Sequence, residues 1–244
     1  MIEELENKYV NLIIDRCLSF KRGKSLFINY FDDNEKFVEK LVTKAKSKGI
    51  DDIYLDRHNK EERHQKLLQS VEEIKNDDYF DASIWDEYAK KDAAFLMLST
   101  EFPGYFADIS SENMTAASLK TRTSKPLYKL KQLTNEISWC IAVIPNKIWA
   151  KEKFPDLSEE DAYNEYFKLM CHCTMVDREN PIGEWDKFLD KQRSLVKALN
   201  DLQITRMHYT NSLGTDLVIG LSPDALWQCA GYEGEDIIVN MPTY

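Results

Sequence analysis

Soft metal donors are few in this chain: among its 244 residues are only four histidines and five cysteines. The cysteines stand at 17, 140, 171, 173 and 229. An odd number at irregular spacing argues against a disulfide framework and points to reduced thiols, hence to the cytoplasm. No apolar run approaches the roughly 18 residues of a membrane-spanning helix. The N-terminus, Met1-Ile2-Glu3-Glu4-Leu5-Glu6, is acidic where a signal peptide is basic and then apolar. Glycine is scarce as well, and only Gly23 stands near the first strand-like segment, before it rather than between strand and helix. A phosphate-binding loop of the dinucleotide type is therefore missing, which weighs against a nucleotide-binding protein. Basic residues are outnumbered, 32 against 42 acidic ones, for a net charge of -10. That balance makes nucleic acid a poor expectation, because backbone binding needs positive charge.

What is present suits a globular protein with a sizeable core, at 43% hydrophobic and 30% charged residues. Helical and strand-like segments alternate through the first half. Leu5, Val10, Ile13, Ile14 and Cys17 predict an amphipathic helix over 2–20. Ser25 to Tyr30 reads as a strand, and Phe37, Leu41, Val42 and Ala45 as a helix that Gly49 ends. Asp52 to Asp56 follows as a second strand, then a charged helix over 60–75. Ala93 to Leu98 is a short apolar run suited to a buried strand. Residues 112–133 look helical, and Trp139 to Ile144 reads as a fourth strand. Strands separated by helices imply crossover connections and a mostly parallel, twisted sheet flanked by helices, the α/β class.

The second half changes character. A short helix is expected around Ile148-Trp149-Ala150. Ser158 is a good N-cap before Glu159-Glu160-Asp161, opening helices over about 159–174 and 180–200. Ile204–Tyr209, Leu217–Leu221 and Ile237–Val239 read as a C-terminal antiparallel strand section, with Asn211-Ser212-Leu213-Gly214 as a hairpin turn. The expected organisation is one N-terminal α/β domain over 1–244. Its alternating core occupies about 1–144, a helical section 145–203 and the strand section 204–244.

Candidate chemistry is sparse. Cys171-His172-Cys173 is the one cluster of soft ligands, but residues one and two apart on a helix diverge by about 100° and 200°. It reads as ordinary helix. His58 and His64, flanking Glu61 and Glu62, are six apart, not at the i, i+4 spacing of a zinc-binding helix, and read as a solvated charged segment. His208, in a strand, reads as structural. Asp216 is balanced between a ligand or catalytic role and that of a turn-stabilising carboxylate. From these residues alone the chain is an α/β domain without a legible active site.

A resemblance enters from Trp139 onward. Trp139-Cys140-Ile141-Ala142, Pro145, Trp149-Ala150 and Phe154-Pro155-Asp156 come first, then Asp177, Pro181, Trp185 and Leu199-Asn200. After them stand His208-Tyr209, Asn211-Ser212-Leu213-Gly214-Thr215-Asp216-Leu217 and Asn240-Met241-Pro242-Thr243. In order and spacing these resemble the aminopeptidase T and aminopeptidase S family of dinuclear metallopeptidases. The resemblance implies release of N-terminal residues from peptides with two divalent metal ions, held by Glu, His and Asp of a C-terminal domain. In the family the first ligand glutamate belongs to a Pro-Thr-Glu-Glu segment, whereas here Pro242-Thr243 is followed by Tyr244. The expectation is therefore that this segment carries no catalytic, cofactor-binding or metal-ligating residue, binds no metal and is inactive alone. Peptide substrates, a homodimer, and no nucleic-acid or membrane partner are the associated expectations. The competing reading is an inert dimerisation or interaction module derived from the same family.

Overall fold

The computed structural model describes residues 2–229, 231–233 and 238–239. It divides into two compact units, one formed by residues up to Ile182 together with those from Gly231 onward, the other by Gly183–Ala230.

The larger unit is built on a parallel sheet of β1 (Ser25–Phe31), β2 (Asp52–His58), β3 (Ala94–Ser99) and β4 (Trp139–Val143) in the order β2-β1-β3-β4. Leu26, Phe27 and Ile28 are fully buried in β1, and Ala94, Phe95 and Leu96 in β3. Such unbroken apolar stretches are what central strands need when both faces are covered. At the edge, β2 alternates between exposed and half-buried residues. The chain runs from β1 to β2 and then crosses back to β3, so the strand order reverses between β1 and β3.

Helix α1 (Ile2–Leu12) continues into a wider π turn over Ile13–Cys17, and the Tyr9 hydroxyl donates to the Val143 carbonyl at 3.0 Å. This departs from one regular helix over 2–20. Helix α2 (Glu35–Ser47) buries Phe37, Val38, Leu41 and Ala45 along one stripe. It ends where Gly49, at φ 76°, lets the Ile50 amide reach back to the Ala45 carbonyl at 3.1 Å, the left-handed cap expected of that glycine.

The charged segment over 60–75 is two helices, α3 (Lys60–Leu67) and α4 (Val71–Asn76), because Ser70 and Glu73 form a capping box that starts a new helix. A helix without a sequence expectation, α5 (Ile84–Lys90), follows. Residues 112–133 are likewise divided into α6 (Ser111–Thr123) and α7 (Pro126–Leu133). Lys125, preceding Pro126, is at φ -128° and ψ 58°, as the steric demand of the proline ring on its predecessor requires. Asp86 of α5 accepts the Leu127 and Tyr128 amides at 3.1 and 2.8 Å and so caps α7 from outside.

One face of the sheet is closed by aromatic packing. Phe27, Trp85, Tyr88, Phe95 and Tyr128 form a cluster with Ala82, Ala89, Ala93 and Ile137. The Trp85 ring lies 4.6 Å from that of Phe27, 5.6 Å from Phe95 and 4.8 Å from Tyr128. Helices α8 (Lys147–Lys153) and α9 (Glu159–Cys173) come next, the latter capped by Ser158 as expected, its hydroxyl accepting from the Asp161 amide. Helix α10 (Pro181–Asp201) passes into the smaller unit.

The smaller unit also carries the antiparallel hairpin of β5 (Arg206–Thr210) and β6 (Asp216–Gly220). In its turn Asn211 Oδ1 accepts from the Leu213 and Thr215 amides, and Gly214 takes φ 92°. Asn200 bonds Trp227 through both its amide oxygen and nitrogen. Of the strand expected at Ile237–Val239, Ile238–Val239 pair with Tyr232–Glu233 and, at Val239, with Trp139. Ile237 and residues 240–244 lie outside the described residues.

Candidate functional site

At the carboxyl ends of β1 and β2 the larger unit opens into a cavity of about 520 Å³, within the range of small-molecule sites. Alternation along the strands brings Asn29 and Phe31 of β1 beside Asp56 and His58 of β2. The opposite wall comes from Tyr79, Asp81 and Trp85, and from Arg122 and Lys125 at the junction of α6 and α7.

Asp56 is the hub of the polar floor. Its Oδ2 accepts from Asn29 Nδ2 at 2.8 Å and from Trp85 Nε1 at 3.1 Å, and lies 3.4 Å from His58 Nε2. Burial would raise this carboxyl, but hydrogen bonding and charge from His58, aided by Asn29 and Trp85, hold it below its ordinary value. Asn29 Nδ2 also lies 2.8 Å from His58 Nε2, so the ring nitrogen accepts when the imidazole is neutral.

The wall is cationic. Lys125 Nζ sits over the Trp85 ring, 3.4 Å from its centroid, and 5.3 Å from that of Tyr128, a cation–π arrangement. Burial brings Lys125 down to about 8, against the opposing pull of Asp56. The Tyr79 hydroxyl is buried without a hydrogen-bond partner. Its pKa is raised by burial, with Arg63 acting in the other direction.

The residues singled out in the sequence fall in separate places. His58 joins the cavity floor, while His64 lies 2.9 Å from Asp108. The segment containing them is thus only partly the solvated stretch expected, since both rings are half-buried and partnered. Cys171 is buried and burial pushes its thiol to about 12, whereas Cys173 and His172 are exposed, His172 meeting Asp177 at 2.7 Å. The three side chains diverge as helix geometry requires. On the hairpin, His208 and Asp216 are brought together at 2.6 Å, an exposed cross-strand pair. Neither residue alone signalled that pairing. Among the described residues no group of three or more His, Cys, Asp and Glu side chains is placed to hold a metal ion. The described donors therefore do not fit the metal centre that the family resemblance implies.

The sequence profile of the M29 family, described as thermophilic metalloprotease, matches residues 2–244. Aminopeptidase PepS of Streptococcus thermophilus is 26% identical over 99% of this chain and 59% of its own length. Aminopeptidase AmpS of Bacillus subtilis is 26% identical over 97% of the chain and 58% of its length. Aminopeptidase T of Thermus aquaticus is 27% identical over 91% and 54%, respectively. The solved structure of wild-type AmpT from Thermus thermophilus superposes with a TM-score of 0.82 at 22% identity, covering 98% of this chain and 59% of that one. It shares the fold described above. The chain thus spans little more than half the length of these relatives, and on the profile match over residues 2–244 it belongs to the M29 metalloprotease family.

Proposed function

We propose that the chain is the N-terminal α/β part of a metal-dependent aminopeptidase, which releases N-terminal amino acids from peptides by means of two divalent metal ions. The observation that carries this reading is the M29 profile match along residues 2–244, joined by curated relatives that are themselves aminopeptidases. In this reading residues 1–144 are the alternating core, 145–203 a helical section and 204–244 the strand section that leads toward the catalytic domain. The metal ligands belong to the part of the family fold that these 244 residues do not span. The 244-residue chain is then inactive by itself, because paired metals activate the attacking water and polarise the scissile carbonyl. The same reading makes the protein a cytoplasmic homodimer. The buried thiols Cys17, Cys140 and Cys171, outside any disulfide, and the exposed apolar residues Leu217, Val218 and Ile219 of β6 support this.

The test compares two proteins on a panel of aminoacyl anilides, each with and without added divalent metal. One is the 244-residue chain, and the other is a protein of the relatives' full length that carries this chain as its matching part. Metal-dependent cleavage by the long protein alone is the expected result. Equal cleavage by the short chain overturns the placement of the ligands. A long protein that folds, binds metal and cleaves nothing overturns the aminopeptidase reading.

A further inference from the structure

We propose that the cavity at the carboxyl ends of β1 and β2 is a binding site for a small oxyanion, a carboxylate or phosphate group, held by Lys125, Arg122 and Arg63.

Two carboxylates line the cavity, and both are engaged. Asp56 is taken by Asn29, Trp85 and His58, and Asp81 accepts the Ser83 amide at 2.8 Å. Lys129, a fourth cation of the lining, bonds Gln132 at 3.0 Å. Lys125, Arg122 and Arg63 form no ion pair with any described carboxylate, yet all three face the same space. Elsewhere in this acidic chain, lysines are widely matched to carboxylates, as Lys60 is to Asp33 and Lys131 to Asp92. Lys125, Arg122 and Arg63 thus share one concavity without an ion-pair partner among the described residues.

A further observation points to a ligand rather than to solvent. Lys125 is held against the Trp85 ring and partly withdrawn from water, a cost that an ordinary surface lysine avoids by extending outward. An oxyanion in the cavity would offset that cost, since it offers charge to the ammonium. Asp56 then acts as a positioning residue, fixing Trp85 and Asn29 from below. The inference concerns residues 29–129 alone and does not depend on the peptidase reading.

Binding should also respond to pH. The charged and titratable groups around Lys125 are Asp56 of β2, Asp86 of α5 and Lys129 of α7, with His58, Arg63, Asp81 and Arg122 sharing the cavity. Lys125 titrates near 8 in the free protein. A bound anion favours its charged form, so affinity should be highest below that value and fall above it.

The experiment is calorimetric titration of the 244-residue protein with inorganic phosphate and, separately, with N-acetylglycinate. Lys125→Met and Arg122→Gln are titrated in parallel, and all are measured at about pH 7 and about pH 9.5, on either side of the lysine's titration. The expected result is saturable binding of at least one probe with Kd below about 1 mM. It should weaken roughly tenfold or more in each variant and again at the higher pH. Preference for phosphate or for the carboxylate identifies the source of the oxyanion. Arg122 is exposed and stands outside the aromatic cluster, so Arg122→Gln decides the matter if Lys125→Met fails to fold. No saturable binding of either probe at about 10 mM, or undiminished binding in Arg122→Gln, overturns the proposal.

Discussion

Lys125 Nζ lies 3.4 Å from the centroid of the Trp85 ring, closer than any other lysine–aromatic contact among the described residues. The ring face attracts the charge, but burial costs more, and the lysine titrates near 8. In the unfolded chain a lysine titrates near 10.4. The folded form therefore binds protons less tightly than the unfolded one, and below about pH 8 the charged lysine subtracts from stability. That loss is relieved as pH rises from about 8 toward about 10.4. Thermal melts should show the wild-type Tm gaining on that of Lys125→Met across this interval. A constant difference between the two curves would contradict the burial of this charge.

Asp56 carries the opposite sign. Its carboxyl is held below the ordinary value, so its contribution is present above the unfolded carboxylate pKa of about 3.9 and is lost as pH falls through the lower folded value. Asp56→Ala leaves Trp85 Nε1 without its acceptor and Asn29 Nδ2 with His58 alone. The cost should be about 1–3 kcal/mol near neutral pH, read by urea unfolding. The deficit should shrink in acid, because the wild type loses there what the variant already lacks. An equal deficit at all pH values would mean that packing, not charge, accounts for it.

The central strands were legible because β1 and β3 are short apolar runs buried largely on both faces, and β4 is an apolar run that alternates between half-buried and buried residues. Helix α5 was harder to read. Trp85, Tyr88 and Ala89 have helical spacing, but over a helix of only seven residues the period hardly repeats. The break at Lys125-Pro126 was written in the sequence, since the residue before proline avoids helical backbone; the apolar spacing on either side masked it. The cavity was not legible at all. Asn29, Asp56, Tyr79, Trp85 and Lys125 share no motif, and tertiary packing alone assembles them. His58 illustrates the difficulty. By composition it belongs to a charged stretch, yet the last position of a strand turns it into the site. His208 and Asp216 are similar, since eight residues separate them and only the hairpin register closes the gap.

The His208–Asp216 pair should contribute little to folding. Both side chains are largely exposed, 56% and 78%, and solvent screening leaves such pairs worth well under about 1 kcal/mol. His208→Ala should therefore unfold within about 0.5 kcal/mol of the wild type in urea. A much larger loss would show that the hairpin relies on this contact more than its exposure allows.

Two glycines separate steric need from conformational need. A Cβ on Gly23 would stand 2.4 Å from the carbonyl oxygens of both Lys91 and Asp92. Those atoms are backbone at the start of β3's approach to the sheet, and they cannot rotate aside as a side chain would. Gly49 meets nothing within 4 Å, but its φ of 76° lies in the left-handed region that side chains disfavour. Gly49→Ala should thus cost about 1 kcal/mol, the usual strain of a left-handed position, with the surroundings undisturbed. Gly23→Ala must instead push the β1 entry away from the turn between α5 and β3, and overpacking of that kind costs about 1–3 kcal/mol or more. Equilibrium unfolding in urea should rank Gly23→Ala below Gly49→Ala. Amide exchange should accelerate around residues 23–26 and 91–94 in the first variant and only around 48–50 in the second. The reverse order of stability would mean that the chain before β1 yields readily, and that Gly23 is there for freedom rather than for space.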